Sequence, residues 1–114
     1  KDALKFVKRE ARRGNTYQGI IIDPPKFGRG SSGEVWDFFK RMPELIEACR
    51  SLVAKDAGFV ILTAYAITAS DVLTKQAMQE MVGKHGEFTT GELVTVEESA
   101  GHVLSHAIFT RWRP

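Results

Sequence analysis

The feature that most constrains the fold is a run of β-branched residues that stops at two prolines. Ile20, Ile21 and Ile22 follow Tyr17-Gln18-Gly19, and Asp23-Pro24-Pro25 comes directly after them. A short continuous apolar run is typical of a strand buried on both faces, as in a parallel sheet. Proline donates no hydrogen bond to a sheet ladder, so the strand must end there. The sequence therefore predicts a buried strand that ends in an acidic, proline-stiffened corner.

Further helices and strands alternate along the rest of the chain. Apolar residues at helical spacing predict helices over residues 2–13, about 34–54 and about 69–82. Pro43 predicts a kink or a short break in the second of these helices. Short apolar runs predict further strands at 58–62, 93–96 and 105–109. The brief connection between the last two strands favours an antiparallel hairpin. This order predicts one α/β domain with a doubly wound sheet and an antiparallel edge pair.

Composition limits the compartment and the size of the domain. The 114 residues suffice for one core, and 43% of them are hydrophobic. No apolar stretch approaches the roughly 18–20 residues of a membrane span, so we expect no membrane partner. The single cysteine, Cys49, cannot form an internal disulfide, and the chain opens without the pattern of a signal peptide. Both features predict a cytoplasmic protein.

Positive charge is concentrated in the first predicted helix. Residues 1–13 carry six cations and two carboxylates, a net charge of +4, whereas the whole chain has a net charge of +2. Such a helix can attract phosphates. It can equally be the solvated face of an amphipathic helix, and charge patterning leaves both interpretations open.

The acidic corner after the isoleucines is the candidate functional site. Ligands of open α/β sheets bind outside the carboxyl ends of the strands. Pro24 and Pro25 stiffen the carbonyls around Asp23, and a rigid row of acceptors suits an amine or a base edge. Phe27 offers an aromatic face on which a nucleobase can stack. Alternatively, Asp-Pro-Pro only ends a strand and Phe27 caps the core, but the combination of all these residues favours a site.

Asp23-Pro24-Pro25-Lys26-Phe27 after three isoleucines resembles motif IV of class I S-adenosylmethionine-dependent methyltransferases. The residue between the second proline and the aromatic resembles the Asp-Pro-Pro-x-Phe group of ribosomal RNA large-subunit methyltransferases. The similarity extends in element order over residues 1–114. It implies the C-terminal portion of a single catalytic domain, S-adenosylmethionine (SAM) as cofactor, and RNA, above all ribosomal RNA, as partner.

The resemblance also implies roles for matched positions. Asp2 matches an acidic position that accepts a hydrogen bond from the adenine amine of the cofactor, although it can equally be a helix N-cap. Asp23, within Asp23-Pro24-Pro25, would border the methyl-donor site and place the substrate base. Phe27 would stack on or near that base.

Three further residues are candidates for substrate binding. Lys26 and Arg29 are placed to meet RNA phosphates, although loop cations are commonly solvated. Tyr65 either lines the substrate pocket or packs within the fold.

One departure from the family limits the chemistry. Methylation at carbon 5 of cytosine needs a thiolate that adds to the ring, and relatives with this activity carry a cysteine after the next strand. This chain has Thr63-Ala64-Tyr65-Ala66 there. Cys49 lies on an apolar helix face and is predicted to pack in the core. Transfer to a base nitrogen needs only positioning and desolvation, so nitrogen is the predicted target.

Two other patterns give weaker predictions. Residues 28–33 match G-x-G-x-x-G, but five residues separate these glycines from the strand, which favours a flexible loop over the substrate to a phosphate-binding turn. His102 and His106 are four residues apart without a third suitable ligand beside them, so no metal site is predicted.

Alternative functions remain. The first is a non-catalytic RNA-binding or assembly module with a methyltransferase fold. The second is an amino-directed DNA methyltransferase, in which the aromatic usually follows the second proline directly. Because the glycine-rich cofactor loop of the family would precede residue 1, we expect little or no activity from these 114 residues alone. Exposed strand edges would favour a homo-oligomer.

Overall fold

The computed structural model describes residues 3–24, 27–29, 35–65 and 70–114, and for residues 27–29 and 35–39 it describes the backbone alone. The elements along the chain are α1 (Ala3–Arg12), β1 (Gly19–Ile22), β2 (Phe27–Arg29), β3 (Val35–Asp37), α2 (Phe38–Arg50), β4 (Phe59–Tyr65), α3 (Asp71–Val82), β5 (Glu87–Val96) and β6 (Val103–Arg113). Within these ranges no helix is long and apolar enough to cross a membrane.

Four of the strands form one mixed sheet in the order β1-β4-β6-β5. β1 runs parallel to β4, and β6 runs antiparallel to both β4 and β5. The predicted α/β fold with a C-terminal antiparallel hairpin is therefore confirmed. β5 and β6 are longer than predicted because their pairing extends from Val96 and Val103 back to Glu87 and Arg113.

The three helices contribute to a core on one face of this sheet. Side chains alternate along β4, so that Val60, Leu62 and Ala64 are buried while Phe59 and Tyr65 are exposed. The buried residues of β4 join a cluster with helical and strand residues that include Val7, Leu45, Ile46, Cys49, Met78, Met81, Ile108 and Trp112. We call the opposite face, which carries Phe59 and Tyr65, the open face.

The prediction that the isoleucine strand is buried on both faces is wrong for this chain. Ile22 is 7% exposed, whereas Ile21 is 67% exposed. The physical reason is that the described helices pack on the face of Ile22, so Ile21 points to the open face. Phe59 partly covers that face, since its ring lies over Gly19, where a Cβ atom would meet the ring at 2.5 Å.

The segment between Asp23 and α2 differs from its prediction. The predicted loop contains the short strand β2, and the first residues of the predicted second helix form β3 instead. The two strands are antiparallel, with Phe27 paired to Asp37. α2 accordingly begins at Phe38, four residues after the predicted start, and continues unbroken through the exposed Pro43. The glycine- and serine-rich composition of the segment masked the few bulky residues, such as Val35, that favour strand pairing.

Hydroxyl groups tie α3 to the sheet at a fully buried position. Thr110 Oγ1 on β6 donates to Thr74 Oγ1 on α3 at 2.8 Å, and both residues are 0% exposed. Thr74 Oγ1 in turn donates to the Asp71 carbonyl at 2.9 Å, and Thr90 Oγ1 on β5 donates to Asp71 Oδ2 at 2.8 Å. These polar contacts fix the first turn of α3 against two strands.

The direction of these hydrogen bonds predicts unequal effects of two similar substitutions. Thr74→Val removes the acceptor of the buried Thr110 hydroxyl, so we expect a loss of about 1–3 kcal/mol in the free energy of unfolding. Thr110→Val leaves the bond from Thr74 to Asp71 intact and should cost less, about 0.5–1.5 kcal/mol. Urea titrations of both variants measure the difference. Equal losses would contradict this account.

Candidate functional site

The candidate site lies where β1 ends beside β4, which continues to Tyr65. Because the two strands are parallel, with Ile22 paired to Leu62, Asp23 and Thr63 follow at the same level of the sheet. Thr63 Oγ1 donates a hydrogen bond to Asp23 Oδ1. Asp23 is exposed, whereas Pro24 after it is buried. The predicted acidic corner therefore carries an accessible carboxylate that accepts a hydrogen bond from the neighbouring strand.

An aromatic side chain lies on the same edge of the open face. Tyr65 follows Thr63 by two residues on β4, so both side chains point to the same face. Tyr65 is 42% exposed. This exposure excludes a fully packed Tyr65, and its role in a substrate pocket stays a prediction. We refer to Asp23, Thr63 and Tyr65 together as the Asp23 edge.

The remaining predicted site residues are only partly described. Phe27 and Arg29 begin and end β2, so the chain re-enters a strand three residues after Pro24. Asp2, Pro25 and Lys26 lie outside the described residues, as do most residues of the predicted loop. The roles assigned to these five residues stay predictions.

A groove of about 460 Å³ runs along β1 between α1 and α2, and Asp23 is part of its lining. Apolar side chains of both helices line it, among them Phe6, Val7, Leu45 and Cys49. Asp23 is the one charged residue among the described residues of its lining. The groove therefore offers an apolar wall with a single carboxylate at one end.

A buried carboxylate that the sequence analysis missed anchors α1 beside this groove. Glu10 is 6% exposed and accepts hydrogen bonds from Tyr17 Oη and from Asn15 Nδ2, the latter at 3.1 Å. Arg13 Nη1 lies 3.4 Å from Glu10 Oε2. The signal available in the sequence was spacing, since Glu10 follows the buried Val7 by three residues and shares its helix face.

This network predicts how stability depends on pH. The hydrogen bond from Tyr17, followed by that from Asn15, holds the pKa of Glu10 below its ordinary value of 4.5. A carboxyl with a lowered folded-state pKa stabilises the fold above its unfolded pKa, and this contribution is lost as pH falls through the lower folded value. We expect urea titrations from about pH 7 to about pH 3 to show a steeper acid loss than in Glu10→Gln. Parallel pH profiles of the two proteins would contradict this account.

Cys49 is a core residue, as predicted. It is 3% exposed, and burial raises the pKa of its thiol from 9.0 to about 11. The thiolate fraction near pH 8 should therefore be about 100-fold smaller than for an ordinary thiol, because two pKa units separate them. We expect a thiol reagent to modify Cys49 slowly in the native protein and rapidly after denaturation. Rapid native modification would contradict the buried position.

Several cations of α1 already interact within the chain. Lys8 Nζ lies 2.9 Å from Glu44 Oε1, and the Arg9 guanidinium lies 5.4 Å from the ring centroid of Phe6. These contacts support a structural role for part of the basic helix and leave its attraction for phosphates open.

The two histidines of the hairpin have non-metal partners. His102 Nδ1 lies 3.0 Å from Glu97 Oε2, and His106 Nε2 lies 2.9 Å from Thr95 Oγ1. In the part of the chain that the structure describes, no group of three His, Cys, Asp or Glu side chains could hold a metal ion.

Comparison with solved structures identifies the fold. No protein-family model matches the chain, and no curated protein matches it. It is 45% identical to a SAM-dependent methyltransferase from Agrobacterium tumefaciens, with a TM-score of 0.90 over 99% of this chain and 38% of that one. It is 26% identical to SMU.776, assigned as a methyltransferase and solved with SAH, with a TM-score of 0.65 over 98% of this chain and 30% of that one. A protein of Streptococcus mutans, assigned as a SAM-dependent methyltransferase, is 22% identical, with a TM-score of 0.61 over 98% of this chain and 29% of that one.

These similarities define the class of fold. The chain has part of the Rossmann-like fold of SAM-dependent methyltransferases. It spans 38% of the length of the Agrobacterium protein and about 30% of the length of the other two.

Proposed function

We propose that the chain is the C-terminal portion of the catalytic domain of a SAM-dependent methyltransferase, in which the Asp23 edge places the base that receives the methyl group. The observation that carries this proposal is the exposed Asp23 carboxylate at the carboxyl end of β1, fixed by Thr63. The proposal is also supported by similarity, since 99% of this chain matches a SAM-dependent methyltransferase at 45% identity.

The described residues fit one side of a SAM site. The cofactor carries a cationic sulfonium, an amine and an adenine ring, and an accessible carboxylate attracts the cation or accepts from an amine. The groove beside Asp23 adds an apolar wall. When bound, SAM would supply an electrophilic methyl group for attack by a nitrogen lone pair. The sulfur–methyl bond would break to leave S-adenosylhomocysteine, and the methylated amine would release its proton to solvent, so no protein nucleophile is needed. Asp2 is proposed to accept from the adenine amine, and Asp23 to border the methyl donor.

A base nitrogen is the acceptor that the available side chains favour. Cys49 is 3% exposed, and burial raises the pKa of its thiol to about 11, which disfavours it as the nucleophile of a carbon-5 reaction. Residues 63–65 read Thr-Ala-Tyr and provide no thiol. Asp23 can instead accept a hydrogen bond from an exocyclic amine, which aligns the nitrogen.

We propose RNA as the substrate class, and ribosomal RNA as the first candidate within it. We also propose that the reaction takes place in the cytoplasm. Tyr65 is an accessible aromatic on the same edge as Asp23 and suits stacking on an unpaired base. Phe27 is proposed to stack on the same base, and Lys26 and Arg29 to contact phosphates, which positions an RNA without reading its sequence.

Labelled methyl transfer tests this proposal directly. The complete natural polypeptide that carries these residues is incubated with methyl-labelled SAM and, separately, with total RNA or DNA. We expect label in RNA and, after digestion to nucleosides, in N-methylated bases. Label in DNA alone would favour the amino-directed DNA methyltransferase. RNA binding without transfer to either nucleic acid would favour the non-catalytic module and overturn the proposal.

A further inference from the structure

We infer that Thr63 is a positioning residue that holds the Asp23 carboxylate in the orientation needed for methyl transfer. This inference rests on the proposed function and deepens it. Thr63 is 40 residues away from Asp23 in sequence, and the parallel pairing of β1 with β4 brings the two together.

The two partners differ in how firmly the sheet holds them. Thr63 belongs to β4, which has β1 on one side and β6 on the other, and it pairs with Phe109 of β6. Its β-branched side chain has restricted χ1 freedom. Asp23 lies one residue beyond the end of β1 and is exposed. The hydrogen bond therefore transmits the rigidity of an interior strand to a carboxylate at a strand end.

The hydrogen bond from Thr63 gives the two carboxylate oxygens of Asp23 different roles. Thr63 Oγ1 donates to Oδ1. A carboxylate has about four lone-pair sites, so Oδ2 keeps its capacity to accept from a substrate amine. With Oδ1 held, rotation about the side-chain bonds of Asp23 would break the bond, which fixes where Oδ2 lies.

The accessibility of the site argues for orientation over stability as the purpose of this bond. Asp23 is exposed and Thr63 is half-exposed, so water can satisfy both groups if the bond is lost. Neither group therefore needs this hydrogen bond to avoid a buried polar atom without a partner. A catalytic role gives the contact a purpose, because a misplacement of about 1 Å near the reacting atoms can lower a rate by about 100-fold.

Three variants of the complete natural polypeptide test the role. Thr63→Val keeps the shape and removes the hydroxyl, Thr63→Ser restores a hydroxyl, and Thr95→Val removes an exposed threonine hydroxyl bond on β5, to His106, as a matched control. We expect Thr63→Val to lower kcat by about 10- to 100-fold with KM values for SAM and RNA within about threefold. Thr63→Ser and Thr95→Val should stay within about threefold of the natural protein. The Tm of all variants should be nearly unchanged.

A double variant separates positioning from an independent effect. If Thr63 acts through Asp23, adding Thr63→Val to Asp23→Ala should cause no further loss of kcat. A further loss as large as that of the single Thr63→Val variant would overturn the inference. If the natural protein transfers methyl groups and the Thr63→Val variant is equally active, the inference is also overturned. The proposed function would still stand in that case.

A structural readout keeps the inference testable without activity. Crystal structures of the natural protein and of Thr63→Val are compared at Asp23. We expect one carboxylate rotamer in the first and several, or a different one, in the second. The same single rotamer in both would overturn the inference while leaving the proposed function standing. Absence of transfer by the natural protein would overturn the proposed function and, with it, the role of Thr63 in methyl transfer.

Discussion

Asp23→Ala in the complete natural polypeptide should lower kcat for methyl transfer by at least about 100-fold, because the carboxylate that aligns the acceptor nitrogen is lost. The side chain is exposed, so its removal leaves no buried cavity and no buried polar group without a partner. We therefore expect the free energy of unfolding to change by less than about 1 kcal/mol. Initial rates with labelled SAM, together with a urea titration, measure both quantities.

Asp56→Ala is the matched control for this substitution. Asp56 is also exposed, but it lies in the turn before β4, at the opposite end of that strand from Thr63. Its removal should leave kcat within about twofold of the natural protein. Full activity of Asp23→Ala would refute the assigned site, and a matching loss in Asp56→Ala would show that the assay responds to surface charge in general.

Leu62→Ala should cause the largest loss of stability, about 2–5 kcal/mol in the free energy of unfolding. Leu62 is 0% exposed in the middle of β4. Together with Met42, Ile46 and Leu73, it lines a small cavity between α2 and α3. Truncation to alanine removes apolar contacts and leaves a cavity that the surrounding helices can fill only in part. A urea titration of the chain followed by circular dichroism measures the loss.

Ile21→Ala provides the comparison on the open face of the neighbouring strand. Ile21 is 67% exposed, so its truncation should cost less than about 1 kcal/mol. A loss as large as that of Leu62→Ala would mean that the open face is covered in solution. Sedimentation at several concentrations would then show whether a second copy of the chain covers it.

The local pattern predicted the elements well where periodicity is strong. The isoleucine run ended by Pro24 is β1, and the apolar spacing around Cys49 placed that residue correctly on the buried face of α2. The β2–β3 pair was missed, because three-residue strands are too short to show a period of two. Glu10 was missed as a buried residue, because its hydrogen bond with Tyr17 forms only after α1 packs beside the chain that leads into β1.

By itself, the sequence determined that a strand ends at Asp23 in a stiff acidic corner, because proline excludes further sheet pairing whatever surrounds it. Only the tertiary structure decided that Thr63 is the partner of that carboxylate and that Ile21 faces outward. Both depend on which strand lies beside β1 and which face the helices cover. Those choices come from packing between residues far apart in the chain, which no local pattern records.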